Sequence, residues 1–291
     1  MDTASRPWRS ALYIPGSRAR ALDKARSLPA DSILFDLEDA VAPDEKPAAR
    51  RLLAESLAAG GYGNRALIVR INALDTPWGA GDLDVLAAAR PAAILLPKVN
   101  GAADIEALAR CLDARAETAE TRIWAMMETP LSALRAAGIA AAPRMQGFVV
   151  GTNDLAKDLG ARFRPDRLPL MAAIQAYLLA ARAFGLVCID GVYNAFRDTE
   201  GLRAECEQGR DLGMDGKSLI HPDQITVANE VFAPADAEID LARRQIAAFE
   251  EAEASGAGVA VVDGRIVENL HVAAAKATLA KAEAIATLAA G

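Results

Sequence analysis

The chain has 291 residues, of which 52% are hydrophobic and 24% charged, with a formal net charge of -7. That length can bury one large core, and the acidic balance argues against non-specific nucleic-acid binding while leaving room for a local basic pocket that takes an anionic substrate. No apolar stretch reaches the roughly 20 residues of a membrane span, and Met1-Asp2-Thr3-Ala4-Ser5-Arg6-Pro7 lacks the apolar core of a signal peptide, so a cytoplasmic protein with no membrane partner is expected.

Short apolar runs recur along the chain at Ala11 to Ile14, Ile33 to Asp36, Leu67 to Ile71, Ala93 to Leu96, Ile123 to Met127, Phe148 to Val150, Val187 to Ile189 and Met214 to Lys217. Most are followed by a turn and then an alanine-rich segment with helical spacing. Strands that alternate with helices pair in parallel through helical crossovers, and non-alternating apolar runs suit strands buried on both faces. Eight such units predict a (β/α)8 TIM barrel over residues 1–222. A doubly wound open sheet is the competing fold, disfavoured because no Gly-x-Gly-x-x-Gly fingerprint follows the first strand.

Helix signals sit between the runs. Asp44-Glu45-Lys46-Pro47 places acids and a proline in a first turn ahead of Leu52, Leu53 and Leu57, and Gly60-Gly61 ends that helix. Cys111, Cys188 and Cys206 have no paired or metal-type spacing and read as reduced thiols. After His221-Pro222 the character changes. A C-terminal helical extension over 223–291 is predicted, with an amphipathic helix at Ile239 to Glu253, a hairpin turning at Asp263-Gly264 between Val259 and Val267, and a last helix from Leu270 to Leu288. A barrel closes without this part, so it is expected to cover the site or pack on a neighbouring subunit.

The candidate chemistry collects where strands end. Glu128 follows Ile123 to Met127, and Asp154 follows Phe148-Val149-Val150 through Gly151-Thr152-Asn153, which is where a parallel barrel keeps its active site. Two carboxylates with no Cys or His beside them suit a hard, oxygen-preferring cation, Mg2+ with Mn2+ as the alternative; the competing reading makes Asp154 a helix cap. Arg70 lies inside an apolar strand, where an unpartnered charge would be costly. It serves either a substrate carboxylate, gripped bidentately, or a structural ion pair with Asp36 or Glu38. Asp36, Glu38 and Asp39 repel one another unless water, a cation or an arginine offsets them, so at least one, with Asp36 and Glu38 as the substrate-side candidates, is expected to touch the metal's shell or its waters, a solvated loop being the alternative. Pro15, Gly16 and Arg18 follow the first strand with backbone N–H groups that suit a phosphate or other anion, although Pro-Gly is also an ordinary turn. Lys98 ends the fourth strand and reads as a Schiff-base lysine or, more simply, as a charge partner. His221 follows the eighth strand and His271 lies on the last helix, too sparse a set for zinc.

Taken together, Arg9-Ser10-Ala11-Leu12-Tyr13-Ile14-Pro15-Gly16, Phe35-Asp36-Leu37-Glu38-Asp39-Ala40-Val41, Val69-Arg70-Ile71-Asn72, Leu96-Pro97-Lys98-Val99, Met127-Glu128-Thr129, Gly151-Thr152-Asn153-Asp154-Leu155 and Asp215-Gly216-Lys217-Ser218-Leu219-Ile220-His221-Pro222 resemble the citrate lyase beta subunit-like group of the HpcH/HpaI aldolase superfamily. The resemblance covers nearly the whole chain. It implies a TIM barrel assembled as a homo-oligomer, trimer or hexamer, that acts as a Mg2+-dependent carbon–carbon lyase. The implied reaction interconverts a 3-hydroxyacyl-CoA such as malyl-CoA or citramalyl-CoA with a 2-oxo acid and acetyl-CoA. Metal aldolase activity on CoA-free hydroxy-oxo acids, or a non-catalytic beta-like subunit, is the alternative. By the same resemblance the metal falls on Glu128 and Asp154 and the substrate carboxylate on Arg70; in the mechanism expected from these residues, Pro15, Gly16 and Arg18 contact the CoA side. Relatives carry a C-terminal carboxylate that reaches the neighbouring subunit's site in a pattern like Gly-Lys-Met-Ile-Asp; here Gly264-Arg265-Ile266-Val267-Glu268 puts Glu268 in its place. An extra methylene displaces such a group by about 1 Å, which can lower a rate about 100-fold.

Overall fold

A computed structural model describes residues 6–290; residues 1–5, on which part of the leader reading rests, lie outside it. The eight runs become eight parallel strands closed into a barrel in sequence order: β1 Ser10–Pro15, β2 Ser32–Asp36, β3 Ala66–Arg70, β4 Ala93–Leu96, β5 Arg122–Met127, β6 Met145–Val150, β7 Val187–Asp190 and β8 Gly216–Leu219. The eighth lies two residues later than its apolar run suggested. Met214 packs in the core, and the strand is built around Lys217 and Ser218 instead, a polar pair that hides the strand from a hydrophobicity reading.

Alternation along each strand sorts side chains into two layers. Ala11, Leu34, Ala66, Ile68, Ala93, Leu95, Trp124, Met126, Val149, Val187 and Ile189 form the filling of the barrel, where Trp8 and Trp124 pack with ring centroids 5.0 Å apart. Gly147 is required beside them: a Cβ there would come within 2.8 Å of the Trp124 ring. The alternate residues, such as Ile33, Phe35, Val69 and Phe148, face the helices in the larger core. The helix Lys46–Ala59 starts with Pro47 in its first turn and stops at Gly60, whose φ of +67° is left-handed, as the sequence signals required.

Register brings opposite charges side by side. β7 and β8 pair Asp190 with Lys217, both fully buried on the helix-facing side. Lys217 Nζ lies 3.0 Å from Asp190 Oδ2 and 2.7 Å from Glu205 Oε1 on the helix Thr199–Leu212, while Arg167 Nη1 sits 2.7 Å from Asp190. Gly209 on that helix leaves room, since a Cβ would meet Asp190 Oδ2 at 2.9 Å. Burial alone would raise the Asp190 pKa, but Lys217 and Arg167 hold it below the ordinary carboxylate value.

The chain divides into two compact units, Trp8–Phe232 and a second made of residues 6–7 with 233–290. The second contains the helix Asp236–Ala254, the antiparallel pair β9 Ala260–Val262 and β10 Arg265–Val267, and the helix Asn269–Ala290. Asp263 and Gly264 both have positive φ, +49° and +76°, the backbone of a two-residue hairpin turn. Ala260, Val262 and Val267 turn one face onto Phe249 and Val272, while Val261 and Ile266 are exposed on the other. No helix among the described residues is long and apolar enough to cross a membrane.

Candidate active site

At the C-terminal ends of the strands a cavity of about 380 Å3 opens, lined among others by Tyr13, Arg70, Met126, Glu128, Asp154 and Ile220. Its floor is the top of the barrel filling. Tyr13 on β1 reaches across to β5 and donates its hydroxyl to Met126 Sδ at 3.3 Å. Pro15, Asp36 and Asp39 also line the cavity, so the first three strands all contribute.

Arg70 is 7% exposed and its fork is already engaged. β2 and β3 register Asp36 against Arg70, and the guanidinium donates from Nε to Asp36 Oδ1 at 2.7 Å and from Nη2 to Oδ2 at 2.6 Å. Nη1 lies 2.8 Å from Glu38 Oε2 and 3.5 Å from Asp39 Oδ2, and the guanidinium stacks over Tyr13, 5.1 Å from the ring centre. Of the two roles open from the sequence, the ion pair is the one these contacts fill. Burial pushes the Glu38 carboxyl up to about 7, with Arg70 opposing the rise.

Glu128 is 1% exposed and Asp154 is half-buried in the first turn of the helix Thr152–Leu159, whose N-cap is Gly151. Between the two acids stands Lys98. Its ammonium is 2.9 Å from Asp154 Oδ1 and 3.6 Å from Glu128 Oε1, and its backbone N–H donates to Glu128 Oε1 at 2.7 Å. Burial pulls the Lys98 pKa down, but the hydrogen bond to Asp154 and the charges of Glu128 and Asp154 outweigh it and leave the ammonium raised, the wrong direction for a Schiff-base nucleophile. Lys98 also holds a φ of +53°, strained for a residue with a side chain and typical of functional positions. The other carboxylate oxygen, Glu128 Oε2, is buried with no hydrogen-bond partner, and Gly151 lies against it: a Cβ would approach Glu128 Cβ to 2.4 Å and Oε2 to 2.7 Å. Burial raises the Glu128 pKa, with Lys98 opposing. Among the described residues no cluster of three or more His, Cys, Asp or Glu forms a complete metal cage. An acid with an unsatisfied oxygen and a second acid beside it fit a cation that takes its remaining ligands from substrate and water, the habit of Mg2+ rather than zinc.

Other expected residues fall differently. The N–H groups after β1 are not free: Gly16 donates to the Asp36 carbonyl at 2.8 Å and Arg18 to the Pro15 carbonyl at 3.2 Å, because the turn and the parallel ladder use them. Arg18 itself is exposed. His221 stacks on Phe196, 4.7 Å between ring centres, and accepts from the Asp223 N–H at Nδ1. Glu268 is an exposed residue of the second unit, its N–H donating to His271 Nδ1 at 3.0 Å where the last helix begins. Tyr13, Met126 and Gly151 were not singled out from the sequence. The signal lies in alternation: Tyr13 is in phase with Ala11, and Met126 with Trp124 and Glu128.

An eight-stranded parallel barrel that gathers two carboxylates and an ion-paired arginine at its C-terminal mouth has its candidate site where α/β-barrel enzymes keep theirs. The HpcH/HpaI aldolase/citrate lyase family matches residues 9–222, and the chain belongs to that family. It is 63% identical over 286 residues, 98% of both chains, to a protein of Cereibacter sphaeroides named (3S)-malyl-CoA thioesterase. It is 38% identical over 282 residues to the citrate lyase subunit beta of Leuconostoc mesenteroides subsp. cremoris, covering 95% of this chain and 93% of that one. The crystal structure of CitE from Mycobacterium tuberculosis, in complex with magnesium, acetoacetate and coenzyme A, superposes with a TM-score of 0.78 at 32% identity, covering 96% of this chain and 99% of that one.

Proposed function

We propose that this chain is a Mg2+-dependent enzyme that hydrolyses the thioester of a 3-hydroxyacyl-CoA of the malyl type, releasing the free hydroxy acid and CoA. The observation that carries the reading is the pairing of a buried, unsatisfied carboxylate oxygen on Glu128 with Asp154 and Arg70 in one cavity. The similarity at 63% identity to a protein named for this activity supports the substrate.

In this reading Glu128 and Asp154 hold the ion, and Lys98 withdraws from between them. Bound there, Mg2+ supplies Lewis-acid polarisation of the oxygens it chelates. Arg70 orients the acyl group's terminal carboxylate. Since Asp36 already occupies Nε and Nη2, the exchangeable position is Nη1, and a substrate carboxylate arriving there displaces Glu38. The freed Glu38 then accepts the proton of the attacking water as its oxygen adds to the thioester carbonyl. The C–S bond breaks, and the CoA thiolate takes up a proton. Pro15, Gly16 and Arg18 lie toward the CoA, and Glu268, brought by the extension of a neighbouring subunit in a trimer or hexamer, carries a proton at the thioester. The cytoplasmic placement expected from the sequence belongs to this reading.

Carbon–carbon cleavage is the second reading, favoured by the similarity to citrate lyase beta subunits. There the same base removes the proton of the substrate hydroxyl, the carbon–carbon bond breaks, and the electrons pass to the thioester enolate, giving a 2-oxo acid and acetyl-CoA. Product analysis separates the two. Purified chain with (3S)-malyl-CoA and MgCl2 is expected to release free thiol and malate in equal amounts without glyoxylate; glyoxylate and acetyl-CoA without free thiol would establish the lyase reading in its place. With Glu38 at about 7 and needed as a carboxylate, kcat/KM should rise across neutral pH and level off about one unit above it.

Gly151→Ala tests the metal pocket from the side of packing. The added methyl has no room beside Glu128. The variant is expected to fold, with an unchanged far-ultraviolet circular dichroism spectrum, and to bind Mg2+ about 10- to 100-fold more weakly, as misplaced ligands do. Calorimetric titration with MgCl2 reads this directly.

A further inference from the structure

Behind the acid loop stands a second cation. Lys46 is the first residue of the helix Lys46–Ala59, yet its side chain turns inward and is 6% exposed. Among the described residues no carboxylate oxygen lies within ion-pair distance of its Nζ. The ammonium instead donates to two carbonyls, Leu37 at 2.9 Å and Glu38 at 2.7 Å, and lies 5.2 Å from the centre of the Trp78 ring. The Leu37 carbonyl accepts a second hydrogen bond, from Asn72 Nδ2 at 2.9 Å. Asn72 is itself held by Asp82, and Asp82 pairs with Arg50 at 3.2 Å.

A buried ammonium without a carboxylate partner is an expensive feature, tolerated where backbone carbonyls and an aromatic face solvate it. What these bonds hold is narrow. The two carbonyls belong to the stretch between Asp36 and Asp39, the four residues that send three carboxylates toward a single arginine. Asp36 is anchored by its strand register and by accepting the Glu38 and Ala40 N–H groups at 2.9 and 3.0 Å. Glu38 has no such anchor at its side chain beyond Arg70, and its backbone is pinned by Lys46.

We propose that Lys46 is a positioning residue for Glu38: by clamping the Leu37 and Glu38 carbonyls it fixes the backbone from which the Glu38 carboxylate reaches Arg70 Nη1, so that the carboxylate stays beside the attacking water once the substrate has taken its place on the guanidinium. This rests on the reading that Arg70 receives the substrate carboxylate. Lys46 touches no reacting atom. Its removal loosens the loop by about an ångström, and a displacement of that size can change a rate or an affinity about 100-fold.

The test uses the full chain with MgCl2, and titrates (S)-malate, the hydrolysis product, by calorimetry alongside steady-state kinetics with (3S)-malyl-CoA. Lys46→Met removes charge and donors; Lys46→Gln returns an N–H donor without the charge. Lys46→Met is expected to lower kcat by about 10- to 100-fold while malate affinity and KM stay within about threefold, and Lys46→Gln to recover part of the loss. An unchanged kcat in a folded Lys46→Met, whatever its melting temperature, would overturn the positioning role while leaving Arg70's role intact. Failure of both variants to fold would make Lys46 a core-stabilising group and overturn it as well. A wild-type chain that binds no malate would instead remove the reading of Arg70 and this inference with it.

Discussion

Replacing Glu128 with glutamine is expected to lower Mg2+-dependent turnover of the thioester by about 10³-fold, equivalent to about 4 kcal/mol of transition-state stabilisation. The substitution preserves shape, so the Lys98 N–H keeps an acceptor at the position of Oε1. It removes the charge and, with the carbonyl kept at Oε1, puts an NH2 group that does not ligate a divalent cation where the unsatisfied oxygen Oε2 was. Steady-state assays across MgCl2 concentrations distinguish the outcomes. A loss that high MgCl2 restores is a loss of affinity; a loss that no MgCl2 concentration restores means the carboxylate also serves the bound state. An enzyme that keeps its rate in the glutamine variant would move the metal away from this pair. Lys98 makes the result sharper. An ammonium that balances both acids must leave before a metal enters, so Lys98→Met should not imitate Glu128→Gln.

Lys217→Met is expected to destabilise the barrel by about 3–5 kcal/mol, the usual effect of stripping one partner from a buried ion pair. Asp190 would be left with Arg167, and Glu205 would lose its 2.7 Å partner for an arginine 3.8 Å away. For a domain of this size that is a fall in melting temperature on the order of 10 °C, read by calorimetry. The double variant Lys217→Met/Asp190→Leu should recover part of the loss, because it removes one charge of each sign and leaves Arg167 and Glu205, 3.8 Å apart, to balance each other. The pH response has a definite sign. Asp190 is depressed below its ordinary value in the folded chain, so its contribution is present above the unfolded carboxylate pKa and disappears as pH falls through the folded one. The lysine variant should therefore show a flatter decline in stability at acid pH than the wild type.

Much of this architecture was legible in the residues. Strand runs, helix stops and the Asp263-Gly264 turn carry their own local signals, since period, capping and positive φ act within a few residues. Glu128 and Asp154 were legible for the same reason: a carboxylate just beyond an apolar run has nowhere to go but the barrel mouth. What escaped depends on register and on approach between distant segments. Asp190 and Lys217 are cross-strand neighbours 27 positions apart that only the closed sheet aligns, and the Asp36–Arg70 ion pair, one of the two roles open from the sequence, is decided by the same kind of register. The same alignment fills the Arg70 fork, which a strand read alone leaves open to substrate. Lys98 between the two acids, Lys46 behind the acid loop and the tied N–H groups after β1 are likewise products of folding back. β8 was displaced because its buried residues are polar, so hydrophobicity pointed to the neighbouring methionine.

The placement of the tryptophans makes the two units spectroscopically unequal. Trp8 and Trp124 pack against each other inside the barrel, Trp78 faces Lys46, and residues 233–290 contain none. Intrinsic emission excited at the indole band is therefore a signal of the barrel unit alone, while backbone ellipticity sums both units, including the long helices 236–254 and 269–290. In a denaturant titration any separation between the two curves measures the cooperativity between barrel and extension without a label, and a coincident pair would mean that the chain melts as one.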